Sequence, residues 1–255
     1  SRSCGVLLHA TSLPGPYGCG DLGEGAHQFI DWLAAAGQRL WQVLPLGPTG
    51  AGNSPYMSPS AFAGHPLLVD LGDLHQRGWL TAGEIEIGTP STTDRVDYAA
   101  VIPWRMQRLA LAARRFASSA DPASRSQYLQ FCAEQAGWLE DYALYTVLAA
   151  AQPGRSWSAW PDGLAAREPL ALARARSRLA AQLDACRFVQ WCFYRQWQAL
   201  REHAQARGIR MFGDTPIFVA YDSADVWAHP GLFELDDSGQ PVAVAGVPPD
   251  YFSAT

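Results

Sequence analysis

The chain begins with a strand, a helix and a second strand joined by short segments, and this order constrains the fold more than any other feature. Apolar runs at Gly5–Ala10 and Arg39–Leu46 flank an amphipathic stretch at Glu24–Ala36. That stretch places four apolar residues on one helical face: Ala26, Phe29, Ile30 and Leu33. A strand–helix–strand unit of this kind predicts two parallel strands joined by a right-handed crossover.

The rest of the chain is predicted to be mainly helical until a third strand repeats the first pattern. The predicted helices are Pro103–Ser118, Ser126–Gln152, Pro169–Asp184 and Cys186–Arg207. A strand-like element at Ile209–Val219, interrupted at Gly213–Pro216, precedes a predicted hairpin with its turn at Asp236–Gly239. Three parts result: residues 1–71 with two strands, a mainly helical insertion at 72–168, and residues 169–255 with helices leading back to the third strand and the hairpin.

The composition fits a globular protein and argues against several kinds of partner. With 255 residues, 48% of them hydrophobic, the chain has enough apolar material for a sizeable core. A formal net charge of −5 without a basic cluster argues against nucleic acid. Five cysteines without a Cys-x-x-Cys pair indicate neither a disulfide framework nor a zinc site. No apolar window approaches the roughly 18 residues of a membrane span and no signal sequence is visible, so we expect a cytoplasmic protein.

Two α/β architectures are compatible with these strands: an open doubly wound sheet and part of a (β/α)₈ barrel. A dinucleotide-binding sheet needs a glycine-rich turn after its first strand and an acidic residue after its second. Gly18, Gly20 and Gly23 superficially match that turn, but Pro14 and Pro16 lengthen the joint. The second strand also ends in Leu-Pro-Leu-Gly-Pro, without an acidic residue. The barrel is therefore the favoured prediction.

A barrel carries its functional residues on the loops after the carboxyl ends of its strands. The candidates at these positions are His9, Tyr17, Asp21, Ser54, Tyr56, Ser58, Ser60, Asp214, Thr215, Tyr221, Asp222, Asp225, Trp227, Asp250, Tyr251 and Phe252. Carboxylates accept hydrogen bonds from vicinal hydroxyls, and aromatic faces pack against the apolar faces of sugar rings. Phosphate would require cations or clustered amides, and these loops offer almost no cations. The set predicts a site for a neutral, polyhydroxylated ligand.

Several candidates also have a purely structural interpretation. Asp214 could cap a turn, His9 could be a hydrogen-bonded structural histidine, and Tyr56 could pin its loop by packing. Asp250 follows two prolines among apolar and aromatic neighbours, an unusual place for a solvated charge. The residues assigned to packing or to turns are Trp32, Trp41, Trp191, Trp197, Asp236 and Asp237.

Three long stretches resemble the 4-α-glucanotransferases of glycoside hydrolase family 77, also called amylomaltases or disproportionating enzymes. They read LLHATSLPGPYGCGDLG, FIDWLAAAGQRLWQVLPLGPTGAGNSPYMSPSAFAGHPLLVDL and GDTPIFVAYDSADVWAHPGLFELDDSGQPVAVAGVPPDYFS. The resemblance implies the N-terminal portion of an α-amylase-like (β/α)₈ TIM barrel with a helical insertion. It also implies a retaining double displacement that moves an α-1,4-glucan segment from a maltooligosaccharide donor to an acceptor such as glucose, with no metal or cofactor.

The resemblance assigns substrate-binding roles to residues at matching positions. Asp214 in GDTPIFV corresponds to the family's aspartate at the end of the third barrel strand, which binds the sugar next to the scissile bond. Ser54 and Tyr56 in NSPY correspond to its substrate-contacting serine and tyrosine. The family's loop over the active site is matched in GVPPDYFS by Asp250, Tyr251 and Phe252.

The same resemblance places the catalytic carboxylates outside this chain. The family's nucleophilic Asp follows the fourth barrel strand and its acid/base Glu follows the fifth, so both are expected downstream of Thr255. We therefore expect the chain alone to be inactive and, with open strand edges and a half-covered core, poorly folded or prone to aggregation. Met57 and His65 depart from the family pattern, which commonly has Gln and Asn there. Two alternatives stay open: an α-amylase-type hydrolase on the same barrel, and a non-catalytic glucan-binding protein.

Overall fold

The computed structural model of the chain describes residues 2–86 and 95–244. Its parallel sheet has the order β1-β2-β3, with strands at Gly5–Leu7, Leu40–Gln42 and Arg210–Phe212. Val6 pairs with Trp41, which in turn pairs with Met211. Each strand lies within a segment predicted from the sequence, and the parallel pairing of β1 with β2 is confirmed.

Helices account for most of the other regular structure in these ranges. They are α1 (Glu24–Ala35), α2 (Leu71–Gln76), α3 (Ala82–Ile85), α4 (Tyr98–Ser119), α5 (Pro122–Glu134), α6 (Ala136–Ala151), α7 (Pro169–Arg178), α8 (Ala180–Ala206) and α9 (Ala224–Ala228). Helix α1 matches its prediction, and Gly37 (φ 73°) follows it in the left-handed conformation. Helix α4 begins earlier than predicted because the Asp97 side chain caps it by accepting from the Ala100 amide, which leaves Pro103 inside the helix.

Two predicted helices are each divided in the structure. Helices α5 and α6 meet at Gln135 (φ −100°, ψ 6°), within the predicted helix Ser126–Gln152. Leu179 (φ −108°, ψ 15°) separates α7 from α8 in the same way, and α8 then continues through Cys186. Neither Gln135 nor Leu179 is a residue type that signals a helix end. The predictions of a continuous helix across Gln135 and of a helix boundary near Cys186 were therefore wrong.

One face of the sheet carries the main core. Trp41 is fully buried there, and its indole Nε1 donates to the Leu8 carbonyl at 2.8 Å. Ile30 of α1 and Leu200 of α8 belong to the same cluster of buried residues. On the opposite face, the side chain of Leu7 at the end of β1 is 55% exposed, and that of Phe212 at the end of β3 is 56% exposed. The described part of the chain thus covers this sheet on one face, whereas a doubly wound sheet is covered on both.

Trp32 is an exception among the tryptophans that were assigned to packing. Its side chain is 57% exposed and stacks on Phe29 with ring centroids 5.7 Å apart. By contrast, Trp41 and Trp191 are buried, and Trp197 packs against the core. The prediction for Trp32 was wrong because this residue lies off the buried face of α1.

The predicted turn at Asp236–Gly239 is present. The Gly239 amide donates to the Asp236 carbonyl at 2.9 Å, and Leu235 forms an isolated antiparallel bridge with Pro241. Asp236 Oδ1 accepts hydrogen bonds from the amides of Ser238 and Gln240. Asp236 is therefore a turn residue, as the sequence indicated.

Two further findings concern membrane-spanning helices and disulfide bonds. None of the helices in the described ranges is both long and apolar enough to cross a membrane. The five cysteines, all within these ranges, are unpaired.

Candidate functional site

The loops after the three strands lie at one edge of the sheet because the strands are parallel and end at the same level. The Leu8 amide donates to the Gln42 carbonyl at 3.0 Å, and the Val43 amide donates to the Phe212 carbonyl at 2.9 Å. The second of these loops is closed at its base, where the His65 amide donates to the Leu46 carbonyl at 2.8 Å. The predicted site residues on the second and third loops are thereby brought to one place.

Tyr56 and Asp214, which come from different loops, are in direct contact. The Tyr56 hydroxyl donates to Asp214 Oδ2 at 2.7 Å, while Asp214 Oδ1 accepts from the Thr215 amide at 2.9 Å. Asp214 therefore caps its own turn and also reaches across to the second loop. The Tyr56 side chain is 44% exposed, and its hydrogen bond to the carboxylate raises the pKa of the phenol. The phenol thus stays a neutral donor beside an accessible carboxylate.

Ser54 supports the position of Tyr56 from within the same loop. Its Oγ accepts from the Tyr56 amide at 3.3 Å, and its side chain is partly exposed at the end of a short 3₁₀ turn, Ala51–Asn53. A serine hydroxyl in this geometry can still donate its own hydrogen to a ligand. Ser54 lies two residues from the Tyr56–Asp214 pair in sequence, but its hydroxyl contacts the Tyr56 backbone and not the phenol.

Three further hydrogen bonds, besides that of Tyr56 with Asp214, join the second loop to the third, and we call these three the interloop clip. The amides of Ala220 and Ala224 donate to the carbonyls of Ser58 and Pro59, both at 2.9 Å. The Ala61 amide donates to Asp225 Oδ2 at 3.1 Å. Burial raises the pKa of Asp225, and its hydrogen bond from the Ala61 amide opposes that rise. The clip holds the loop of Tyr56 against the segment that follows Asp214.

Two candidates after the first strand are structural in this fold. His9 Nδ1 lies 2.7 Å from Thr11 Oγ1 and its Nε2 lies 3.3 Å from the Pro45 carbonyl oxygen, while burial lowers the pKa of the ring. Asp21 is buried, where its Oδ2 accepts from Arg105 at 3.1 Å. Burial raises the pKa of Asp21, and the charge of Arg105 opposes this rise. Arg105, from α4, thereby fastens the first loop to the helical insertion.

Tyr17 belongs to the same buried group around Arg105. Its carbonyl accepts from the guanidinium at 3.2 Å, and the guanidinium carbon lies 5.9 Å from its ring centroid. Burial is the main cause that raises the pKa of the Tyr17 phenol, and the negative charges of Asp70 and Asp21 raise it further. The first loop therefore contributes packing and ion pairing, and the Tyr56–Asp214 pair is built by the other two loops.

Most other candidates also stabilise the loops. Ser58 and Ser60 are buried, and Ser58 Oγ donates to the Ser60 carbonyl at 2.6 Å. Tyr221 donates to the Gly239 carbonyl at 2.5 Å, and Asp222 Oδ1 accepts from Ser156 Oγ at 2.5 Å. Trp227 is fully buried, and its Nε1 donates to the Leu164 carbonyl at 2.9 Å. Asp250, Tyr251 and Phe252 lie outside the described residues.

The two departures from the family pattern have different surroundings. Met57 is 43% exposed on the second loop, next to Tyr56. His65 is buried at the base of this loop, where its Nδ1 accepts from the Leu67 amide at 3.2 Å and caps a 3₁₀ turn. Burial is the main cause that lowers the pKa of His65 to about 4, and the nearby His9 and Arg105 lower it in the same direction. The imidazole is therefore neutral in the folded protein at neutral pH.

Two cavities lie along these loops. Asp214 lines the smaller, of about 180 Å³, which we call the Asp214 cavity. The larger, of about 660 Å³, lies between the start of α6 and the segment 215–233, and we call it the outer cavity. Both are lined by Ser60, Ala61, Phe62, Thr215 and Pro216.

Sequence reasoning missed two aromatic residues in these walls. Phe62 lies just after the second loop's serines, and this position in the chain was a usable signal. Trp138 lies on the helical insertion, and only the packing of α6 brings it to Phe62, with ring centroids 6.1 Å apart and planes inclined by 19°. Periodicity on α6 alone carries no sign of this contact.

The arrangement can bind a neutral ligand through a carboxylate, hydroxyls and aromatic faces. Within residues 2–86 and 95–244, no group of three or more His, Cys, Asp or Glu side chains is placed to hold a metal ion. The fold and the site define an α/β protein with a small parallel sheet whose strand-end loops form a polar site beside aromatic walls. This class is broad, and comparison with known proteins narrows it.

The chain belongs to glycoside hydrolase family 77, the 4-alpha-glucanotransferase family, whose profile matches residues 8–255. It is 52% identical over 254 residues to the 4-alpha-glucanotransferase of Thermus thermophilus and 47% identical over 255 residues to that of a Synechocystis strain. Each alignment covers 100% of this chain and 50% of the relative, so the chain spans about half the length of these relatives.

A solved structure shows the same fold. The amylomaltase of Streptococcus agalactiae, determined in complex with acarbose, superimposes with a TM-score of 0.92 at 36% identity. The match covers 99% of this chain and 51% of that protein. The family resemblance inferred from the three sequence stretches is thus confirmed, and neither alternative, the hydrolase or the non-catalytic binding protein, is favoured.

Proposed function

We propose that the full-length protein carrying this chain is a 4-α-glucanotransferase, which transfers α-1,4-glucan segments between maltooligosaccharides and to glucose. Family membership supports this proposal, and so does the contact between Tyr56 and Asp214 across two loops at 2.7 Å. Because the S. agalactiae relative was solved with acarbose, we further propose that this protein binds an oligosaccharide of this kind, with the Tyr56–Asp214 pair as part of its site.

In this proposal Asp214 accepts hydrogen bonds from hydroxyls of the sugar next to the scissile bond. Tyr56 holds the carboxylate in orientation, and Ser54 supports Tyr56 and contributes its own hydroxyl. The loop that arches over the site would supply Asp250, Tyr251 and Phe252. Hydrogen bonds to an ionised partner are stronger than those between neutral groups, so an accessible carboxylate suits a hydroxyl-rich ligand.

The chemical steps use two carboxyl groups, which we place outside this chain. One carboxylate attacks the anomeric carbon while a carboxylic acid protonates the departing glycosidic oxygen, which breaks the C–O bond and forms a glycosyl-enzyme. A hydroxyl of the acceptor sugar then attacks the same carbon as the second carboxylate removes its proton, and the first carboxylate leaves. These steps require no cofactor.

The proposal includes the finer architecture. We place the three strands in an α-amylase-like (β/α)₈ barrel, with residues 1–71 and 169–255 contributing to the barrel and residues 72–168 forming the insertion. The exposed sheet face at Leu7 and Phe212 supports this arrangement, because the inner face of a barrel sheet is filled when the remaining strands close it.

Product analysis tests the activity. A transferase converts maltotriose into glucose and a ladder of longer maltodextrins, whereas a hydrolase accumulates glucose and maltose without longer products. A non-catalytic protein would bind maltotriose and leave it unchanged. The ladder is the expected result for the full-length protein. Cytoplasmic location is part of the same proposal, and cell fractionation checks it.

A further inference from the structure

Side chains of α8 hold the second loop just after its buried serines. The Tyr194 hydroxyl donates to the Phe62 carbonyl at 2.5 Å. Gln190, one turn earlier on the same helix, accepts from the Gly64 amide at 2.8 Å and donates to the Gly64 carbonyl at 2.9 Å. Burial raises the pKa of the Tyr194 phenol, so its hydroxyl stays a neutral donor. Two nearby points of the loop backbone are thus fixed to one helix.

The part of the loop that α8 holds adjoins the interloop clip. Ala61, whose amide donates to Asp225 Oδ2 in the clip, directly precedes Phe62. Only the backbone torsions of these two loop residues separate the clip amide from the Phe62 carbonyl. A displacement of this carbonyl therefore affects the clip, which holds the loop of Tyr56 against the segment that follows Asp214.

The ring of Tyr194 packs against two other helices. The ring centroids of Phe131 on α5 and Trp138 on α6 lie 5.4 Å and 5.9 Å from that of Tyr194. Of these two neighbours, Phe131 lines neither the Asp214 cavity nor the outer cavity. A single side chain of α8 thus connects the packing of α5 and α6 to the backbone of the second loop.

We propose that Tyr194 is a positioning residue for substrate binding, which transmits the packing of α5 against α8 to the second loop through its hydrogen bond to the Phe62 carbonyl. This inference rests on the proposed function and concerns how the binding loop is held. Without the hydroxyl the loop is displaced in part of the molecules, and the apparent affinity falls with the fraction that can bind. Bound substrate holds the loop in place, so KM changes more than kcat.

Direct contact between the Tyr194 ring and a sugar is the competing explanation, because Tyr194 also lines the Asp214 cavity. Two substitutions separate the explanations. Tyr194→Phe keeps the ring and removes the hydroxyl that holds the loop. Phe131→Ala leaves Tyr194 intact and removes the α5 ring that packs against it.

The first test is Tyr194→Phe in the full-length protein. We expect KM for maltotriose to rise about three- to tenfold, as for the loss of one hydrogen bond, while kcat changes less than about twofold. Tyr128→Phe is the matched control, because Tyr128 lies on α5 and lines neither cavity. An unchanged KM in Tyr194→Phe, with or without a lower Tm, would overturn the proposal, and so would a loss confined to kcat.

The second test asks whether packing on α5 acts through Tyr194. Phe131→Ala should raise KM about two- to tenfold in the wild-type background, as for the loss of one aromatic contact. It should add little in Tyr194→Phe, where the connection to the loop is already broken. Leu129→Ala is the control on the same helix, since Leu129 is exposed. Independent effects of the two substitutions, or an unchanged KM in Phe131→Ala, would overturn transmission through Tyr194.

Acarbose binding gives a readout that does not need turnover. Its dissociation constant, measured by titration calorimetry of the full-length protein, should rise about three- to tenfold in Tyr194→Phe and stay at the wild-type value in Tyr128→Phe. Equal dissociation constants for Tyr194→Phe and wild type would overturn the proposal. If the wild-type protein failed to make the product ladder, the proposed function would fail, whereas these dissociation constants would still decide the role of Tyr194.

Discussion

Asp214 uses its two carboxylate oxygens for two different purposes. Oδ1 caps the turn at Thr215, and Oδ2 accepts from the Tyr56 hydroxyl of another loop. Residue type alone left both a turn residue and a ligand-binding residue open at this position, with the turn residue favoured. The proposed site is compatible with both, because the cap fixes the direction in which the second oxygen points.

We predict that Asp214→Asn lowers kcat/KM of the full-length protein by about 100-fold or more with an intact fold. The amide oxygen still accepts from the Thr215 amide, but the charge that strengthens hydrogen bonds to sugar hydroxyls is lost. Steady-state kinetics and thermal unfolding measure the two effects. Asp236→Asn is the control, since Asp236 is a turn residue with similar backbone contacts. A lower Tm with unchanged kinetics would assign Asp214 a structural role only.

Asp225 is predicted to position the second loop through the interloop clip. Asp225→Ala removes the acceptor of the Ala61 amide, so hydrogen exchange at Ala61 should become about 10 to 100 times faster, as expected for the loss of a hydrogen bond to a charged group. Asp225→Asn keeps an acceptor and should retain most of the protection. Asp222→Ala should leave exchange at Ala61 unchanged, because Asp222 contacts Ser156. Equal exchange rates in Asp225→Ala and wild type would contradict this role.

His65 makes stability depend on pH in a predictable direction. The unfolded chain binds a proton at this residue below its usual pKa of 6.5, whereas the folded protein does so only near pH 4. Stability is therefore lost as pH falls from 6.5 to 4, by on the order of 3 kcal/mol at most. The raised pKa of Asp70, about 6 through burial and the nearby Asp21, has the opposite sign, because its contribution is lost as pH rises through 6.

His65→Asn separates these two effects. Asn can still accept from the Leu67 amide but does not titrate. The Tm of this variant, measured by thermal unfolding, should therefore fall less between pH 6.5 and pH 4 than the Tm of the wild type. Parallel Tm profiles for the two proteins over this range would show that His65 does not titrate as proposed.

At the scale of elements, α8 holds the second loop in place. Gln190 of α8 accepts from the Gly64 amide at 2.8 Å and donates to the Gly64 carbonyl at 2.9 Å. A Cβ at Gly64 would overlap the ring of Phe193, which belongs to the same helix. The absence of a side chain at Gly64 is therefore what allows the loop to approach α8 this closely.

We predict that Gly64→Ala destabilises the protein by about 1–3 kcal/mol, because the loop or the Phe193 ring must move. Gly83→Ala is the matched control, since Gly83 lies in α3 with no atom within 4 Å of the added methyl, and Ala is the better helix former. Chemical unfolding of the full-length variants measures both. Equal free energies of unfolding for the two variants would show that the loop accommodates the added methyl group without loss of stability.

Helices and strands were predictable where the sequence pattern within the segment itself indicates them. Alternation and helical periodicity gave the three strand segments and α1, because burial on one face leaves a pattern in the chain. The divisions at Gln135 and Leu179 were not predictable, since an ordinary residue turns the backbone there. The same limit applies to the candidate site. Tyr56 and Asp214 were named as candidates from their places after the strands, and they lie in contact, whereas the contact of Phe62 with Trp138 depends on how α6 packs.

At the scale of the whole molecule, several large apolar side chains remain exposed in the described structure. Ile217 is 98% exposed, and Leu7, Phe212, Leu232 and Val244 are also exposed. The two outer strands, β1 and β3, each have one edge without a partner strand among the described residues. Surfaces of this kind favour association through apolar contacts and strand edges.

We predict that the 255-residue chain by itself associates as its concentration rises and lacks transferase activity. Light scattering coupled to gel filtration measures the association. Ile217→Ser should reduce it without lowering Tm, because this side chain makes almost no contact within the described structure. A monomer with a sharp cooperative melt at all concentrations would contradict the prediction.

The interloop clip has an evolutionary consequence. Two of its three hydrogen bonds join backbone groups only, so they do not require a particular side chain at an exposed loop residue such as Met57. The backbone path of this loop and the side chains that it exposes can therefore change independently. An exposed side chain such as that of Met57 can be exchanged while the backbone path stays the same. In the proposed site, a single substitution at such a position would change the side chain that faces the sugar and leave the path of the loop as it is.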